Sequence, residues 1–239
     1  MSIQSILKKL MFPNTYSPEA YTAYLRRKGV YVGKNTKIFS PNQTIIDVQR
    51  PEMLHIGDYC KITSGVKILC HDYSMSVARR KYHVHCGSAA ETYIGDNVFI
   101  GVNAVILMGS HIGNNSIVGA GAVVSGQFPD DVVIAGNPAR VICTIEEYYK
   151  KHTDKQYESA KLYFKKLHEA HGKIPTVKDM GNAFAWLYLP RTKETIEEYS
   201  ALFKLSGDDQ VEVINDFLAS KGMFESYEEF VESILGKSK

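Results

Sequence analysis

Between Tyr93 and Val124 the chain reads YIGDNVFIGVNAVILMGSHIGNNSIVGAGAVV, and a β-branched aliphatic residue returns at every sixth position: Ile94, Ile100, Ile106, Ile112, Val118 and Val124. An α-helix repeats its buried face about every 3.6 residues and an ordinary strand every second residue, so neither produces this period. Glycine follows the aliphatic residue at Gly95, Gly101, Gly113 and Gly119, while small or compact residues recur four places after it at Val98, Ala104, Ser110, Ser116 and Ala122. Each six-residue unit therefore reads as one short strand plus a turn. Three such units close a triangular coil, which stacks its aliphatic residues on those of the next coil and leaves glycines and small residues for the corners. Earlier copies stand at Ile56, Ile62 and Ile68, with weaker ones at Val32 and Ile38.

The pattern changes near residue 30 and again near 144. Over residues 1–29 the stretch YSPEAYTAYLRRKG predicts a short helix, with Ser17 as N-cap, Pro18 at the first helical position and Gly29 as terminator. Residues 30–143 carry the solenoid. Beyond it, residues 144–239 read as an α-helical extension: Tyr157, Ala160, Phe164 and Leu167 recur at helical spacing, as do Val211, Ile214 and Leu218. Ser226 and Glu229 make a capping-box pattern ahead of Phe230 and Ile234.

A formal charge of +2 over 239 residues argues against a general nucleic-acid binder. The four cysteines (Cys60, Cys70, Cys86, Cys143) form no C-x-x-C pair, and the N-terminus lacks a long apolar region with a cleavage site, so reduced thiols and a cytoplasmic location are expected. No apolar run approaches the roughly 18 to 20 residues of a membrane span.

On the repeat over 94–124 and the closing PDDVVIAGNPARVI, the chain resembles the hexapeptide-repeat acyltransferases, in particular the galactoside, maltose and capsular-polysaccharide O-acetyltransferase branch. The resemblance covers roughly residues 30 to 143. It implies a mainly β fold, a left-handed parallel β-helix; the hand comes from the resemblance, since parallel crossovers are generally right-handed. It also implies acetyl-CoA as co-substrate, a sugar or polysaccharide acceptor, and a homotrimer with active sites between subunits.

The stretch ILCHDYSMSVARRKYHVHC, residues 68 to 86, breaks the period: Ile68 and Ile94 are 26 residues apart, which is not a multiple of six. A loop over 70–93 must leave the coil. Relatives have such a loop beside a histidine acting as general base, and the matching position is His71. An imidazole suits acyl transfer from a thioester, because it titrates near neutrality and can take a hydroxyl proton and return it to the thiolate. Asp72 is a poor partner for His71, since neighbours in an extended segment point to opposite sides. Asp47, one coil earlier, is a candidate to hold either the histidine or a sugar hydroxyl, with Arg50 ranked below it. Tyr73 and Tyr82 are candidates to stack on a sugar or to fasten the loop to a neighbour; the run Ala78 to Lys81 reads most simply as a solvated face of the loop, with attraction of an acidic sugar or the CoA phosphates by Arg79, Arg80 and Lys81 as its functional alternative.

By the same resemblance Ala120, Ser125 and Arg140 fall on acetyl-CoA-binding positions, and Phe99 stands where relatives often carry tryptophan near the acetyl end. Gly126 and Cys143 depart from the pattern, standing where relatives have basic residues. The γ-class carbonic anhydrases share this solenoid and bind zinc, but their ligand positions correspond here to Val102 and Leu107, so no metal is expected. His83, His85 and Cys86 read as bystanders, and His55 and His111 as exposed turn residues. N-acetylation of an amino sugar and a non-catalytic scaffold remain the alternatives to an O-acetyltransferase.

Overall fold

The computed structural model describes residues 3–236, with side chains from residue 7 onward. The chain divides into two compact units, Met1–Tyr148 and Tyr149–Lys239. In the first, α1 (Ile3–Met11) and α2 (Pro18–Arg27) precede the coils. Ser17 caps α2 by accepting from Ala20 N–H at 3.2 Å, and the chain leaves the helix through Gly29 in the left-handed region.

The first coil holds β1 (Tyr31–Val32), β2 (Lys37–Ile38) and β3 (Ile45–Ile46), and the second β4 (Leu54–Ile56), β5 (Lys61–Ile62) and β6 (Lys67–Ile68). An excursion follows, built of β7 (His71–Asp72), α3 (Met75–Tyr82) and β8 (Ser88–Ala89). The third coil is β9 (Thr92–Ile94), β10 (Phe99–Ile100) and β11 (Val105–Ile106). The fourth is β12 (His111–Ile112), β13 (Ile117–Val118) and β14 (Val123–Val124). The stack ends with β15 (Gln127–Phe128), β16 (Val132–Gly136) and β17 (Ala139–Thr144), the last folding back antiparallel on β16. Apart from that strand, the coils pair in parallel into three sheets, β1-β4-β9-β12-β15, β16-β13-β10-β5-β2 and β14-β11-β6-β3.

The register explains the six-residue period. Ile56, Ile94 and Ile112 stack in the first sheet, Ile62, Ile100 and Val118 in the second, and Ile68, Ile106 and Val124 in the third. All nine are fully buried, each contributing about 1.5 to 3 kcal/mol of apolar burial. The compact corner residues Val98, Ala104, Ser110, Ser116 and Ala122 are buried as well.

Between the first and second sheets the glycines have a steric reason. Oδ1 of Asp58, Asp96, Asn114 and Asp130 accepts the backbone N–H one coil earlier, from Lys34, Asp58, Asp96 and Asn114, at 2.7 to 2.8 Å. Those side chains fill the space where a Cβ on Gly33, Gly57, Gly95 or Gly113 would point. At Gly57 a Cβ would also lie 2.5 Å from Gly95 O, so the coils approach too closely for any side chain.

His55 and His111 are not turn residues. They lie on β4 and β12, and their rings alternate with Tyr31 and Tyr93 in a stacked column with centroid spacings of 4.2, 4.4 and 4.6 Å. Parallel in-register strands bring one side chain per coil to the same outward position, so flat rings stack as aliphatic residues do inside. Burial holds His55 below the usual histidine range.

The second unit is helical: the end of α4 (Ile145–Thr153), then α5 (Gln156–His171), α6 (Val177–Met180), α7 (Ala185–Tyr188), α8 (Lys193–Glu198), α9 (Gln210–Ala219) and α10 (Tyr227–Leu235). Its core gathers Phe164, Tyr188, Phe203, Phe217 and Phe230. In α9 the buried residues are Val213 and Phe217, while Val211 is exposed, which shifts the expected stripe round the helix. Ser226 caps α10, but the Glu229 carboxylate accepts from Glu225 N–H rather than closing the box. Among the described residues no helix is long and apolar enough to cross a membrane.

Candidate active site

His71 sits where the chain leaves the second coil. Leu69 N–H still bonds Ile106 O on the next coil, but His71 pairs with Ala89 and Asp72 with Ser88, an antiparallel neck that closes the excursion. The coil register brings Asp47 to the same place, because Asp47 N–H donates to Ile68 O at 3.0 Å. Asp47 is buried, and its carboxylate is surrounded by donors. Oδ1 accepts from Gln49 N–H at 2.9 Å; Oδ2 accepts from Cys70 N–H and Cys70 Sγ–H, both at 3.2 Å, and from His71 Nδ1.

Burial pushes the Asp47 carboxyl up, but the donors from Gln49, Cys70 and His71 outweigh it and hold the group below its ordinary value of 3.8. A depressed folded-state value means that ionised Asp47 stabilises the fold above the unfolded-state value, and that this stabilisation is lost as pH falls through the folded one. Below about pH 4 the unfolding free energy of Asp47→Asn should therefore fall less steeply with acid than that of the native chain, as equilibrium denaturation at several pH values would measure.

In the sequence Cys70 reads only as one of four reduced thiols. Here its thiol is fully buried, points at Asp47 and also reaches Arg50 O at 3.4 Å. Burial and the adjoining carboxylate push it up to about 12. Asp47, Cys70 and His71 offer donor atoms within 4.8 Å of one another, but a thiol that keeps its proton and a carboxylate already accepting four hydrogen bonds fit a polar network better than a metal cage. His83, His85 and Cys86 lie exposed on the connection from α3 back to β8.

With Asp47 ionised, the His71 Nδ1–H is the donor, and Nε2 has no protein partner among the described residues. Such an imidazole can take a proton at Nε2 and have the resulting cation steadied by the carboxylate behind it. Asp72 turns away: its Oδ1 accepts from Ser74 N–H and Oγ–H. Tyr73 is 74 % exposed on the excursion, just beyond His71.

The remaining candidate residues spread around the solenoid. Ser125 shares the corner of His71, since Leu69 bonds Ile106 and Leu107 bonds Val124; two coils separate Leu69 from Ser125, about 10 Å at ~4.8 Å per coil. Ala120 is exposed at the corner between β13 and β14. Phe99 lies on the outer face of another sheet, in a groove of about 510 Å³ with Tyr59, Lys61, Asn97 and Ile117. Arg140 is exposed on β17, with Nη1 donating to Ala139 O at 2.7 Å. Within one chain His71 and Asp47 are brought together, and Phe99 and Arg140 are not on their corner.

Comparison with known proteins settles the lineage. Residues 91–126 match the family model described as bacterial transferase hexapeptide (six repeats). Protein CapG of Staphylococcus aureus is 39% identical over 127 residues, which span 53% of this chain and 73% of that protein. The chain belongs to the hexapeptide-repeat acyltransferase family. The galactoside O-acetyltransferase of Escherichia coli strain K12 is 32% identical to this acyltransferase over 146 residues, 59% of this chain and 66% of that one. A solved galactoside acetyltransferase in complex with coenzyme A aligns with 63% of this acyltransferase and 86% of its own chain at 25% identity and a TM-score of 0.45. The family model covers only the regular coils of this acyltransferase, and Asp47 and His71 fall ahead of it.

Proposed function

We propose that the protein is an acetyl-CoA-dependent O-acetyltransferase acting on a hydroxyl of a sugar or polysaccharide, with His71 as general base and Asp47 as the residue that orients it. The observation that carries this reading is the His71 imidazole tied through Nδ1 to a buried, multiply hydrogen-bonded carboxylate, with Nε2 free of protein partners among the described residues. The names of the similar proteins support the chemistry: one acetylates galactosides on oxygen, and one was solved with coenzyme A. The coil is left-handed, and the working unit is a homotrimer. Phe99, Ala120, Ser125 and Arg140, spread over different faces of one chain, then contribute to an acetyl-CoA groove between neighbouring solenoids.

His71 Nε2 accepts the acceptor's hydroxyl proton as the oxygen attacks the acetyl carbonyl. The tetrahedral intermediate collapses with cleavage of the C–S bond, the ester is formed, and the imidazolium returns the proton to the CoA sulfur. Asp47 keeps Nδ1 protonated throughout and stabilises the transient imidazolium.

Mixing the protein with acetyl-CoA and candidate sugar acceptors should release free thiol, measurable with a colorimetric thiol reagent. Absence of acetyl-CoA binding by calorimetry would overturn the enzyme reading. Asp47→Asn should lower turnover by on the order of a hundredfold while the KM for acetyl-CoA stays within about twofold, because an amide no longer fixes the tautomer. A change in KM alone would make Asp47 a substrate contact instead.

A further inference from the structure

The excursion that starts at His71 is the most strongly cationic stretch near the site. From Tyr73 to Ala90 it contains no acidic residue, while α3 presents Arg79, Arg80 and Lys81, all exposed and none in an ion pair among the described residues. Arg50, whose carbonyl contacts Cys70 below the neck, is a further exposed cation. A helix C-terminus favours positive charge, and three adjacent exposed cations there together make a local positive field that attracts an anionic partner. A chain that is close to neutral as a whole has concentrated charge here.

Position narrows the partner. The β7–β8 pairing ties α3 to His71 on one side and Ala89 on the other, so the arm projects from the reaction corner itself. Chain length allows at most about 20 Å between His71 and Arg79. Cations within that span can meet units farther along a polymer whose reacting hydroxyl is presented to His71. Tyr73 and Tyr82, 74% and 63% exposed, add flat rings of the kind that stack on pyranose faces.

Resting on the acyl-transfer reading above, we propose that the acceptor is an acidic glycan chain, and that Arg79, Arg80 and Lys81 engage anionic groups on units flanking the one presented to His71. The exposed rings of Tyr73 and Tyr82 on the same arm favour a glycan over the CoA phosphates, whose binding the test measures separately.

The test uses the full chain and two probes: an oligogalacturonate, and the same oligomer with its carboxyls methyl-esterified. At low salt the native protein should bind the acidic oligomer at least tenfold more tightly than the ester, with the gap closing near 1 M salt, where the screening length is about 3 Å. Replacing all three cations (Arg79→Ser, Arg80→Ser, Lys81→Ser) should remove the preference without changing acetyl-CoA affinity, thermal unfolding or oligomeric state. Arg79→Lys with Arg80→Lys should keep it. Equal binding of both oligomers, binding of neither, or an unchanged preference in the triple variant would overturn the proposal. So would a loss of acetyl-CoA affinity, which would assign the cations to the CoA phosphates, or a change in oligomeric state, which would assign them to a second copy of the chain. Failure of the native protein to bind acetyl-CoA would instead overturn the acyl-transfer reading, whichever oligomer it prefers.

Discussion

His71→Ala should lower turnover by on the order of a hundredfold or more while acetyl-CoA affinity stays within about twofold of the native value. Without Nε2 the hydroxyl must attack while still protonated, and the departing thiolate loses its proton source; neither change touches the donor's binding surface. Thiol release under saturating acetyl-CoA measures the first quantity and calorimetry the second. The replacement also leaves Oδ2 of Asp47 with one donor fewer, but Cys70 N–H and Sγ–H still satisfy it and Gln49 N–H still satisfies Oδ1, so the fold should survive. Near-native turnover would remove His71 from the mechanism.

Gly57→Ala should cost about 3 kcal/mol of stability, at the upper end for overpacking, because the new methyl meets backbone that cannot move aside. It would lie 2.5 Å from Gly95 O and 2.6 Å from Gly95 C, and would press on Asp96 Oδ1, which accepts the Asp58 N–H. Relief requires the second and third coils to separate, which breaks pairing on either side. Gly87→Ala is the control: a Cβ there meets nothing within 4 Å, and its stability change should stay within about 0.5 kcal/mol. Equilibrium denaturation of both variants decides the matter; similar midpoints would mean that the glycine column is not set by close approach.

The two cases differ in how far they could be read from the chain. Gly57 belongs to a repeat, and a repeat announces its own geometry: an aliphatic residue every six positions can be buried only if strands of that length stack. The buried ladder through Ile56, Ile94 and Ile112 follows directly. His71 could be singled out because it stands where the period breaks, and Asp47 because it lies about one coil earlier. Their contact could not be derived, since Ile46 pairs with Ile68 across a longer interval than Ile106 does with Val124. The longer connection between β3 and β4, with its 3-10 turn at Pro51–Met53, sets that interval, and turn lengths are invisible to periodicity. Cys70 was missed as a hydrogen-bond donor because thiols in sequence suggest metals or disulfides. Only its inward position beneath the neck makes it a partner of Asp47.

Side chains outside the repeat show the same limit. His55 and His111 looked like turn residues because neither fits the aliphatic ladder, yet each occupies the outward position next to a ladder residue, where the in-register coils stack it against tyrosine. In α9 both Val211 and Val213 suit a buried stripe, and the surrounding helices decide for Val213.

Alone, the sequence determined that the middle of this protein is a stack of parallel coils and that the chain must leave the stack after Ile68, because both follow from spacing along one dimension. Only the tertiary structure decided which residues from different coils meet at Asp47, Cys70 and His71, and that the cationic arm springs from that same corner. Those contacts depend on the register between coils, which turn lengths and backbone pairing set in three dimensions.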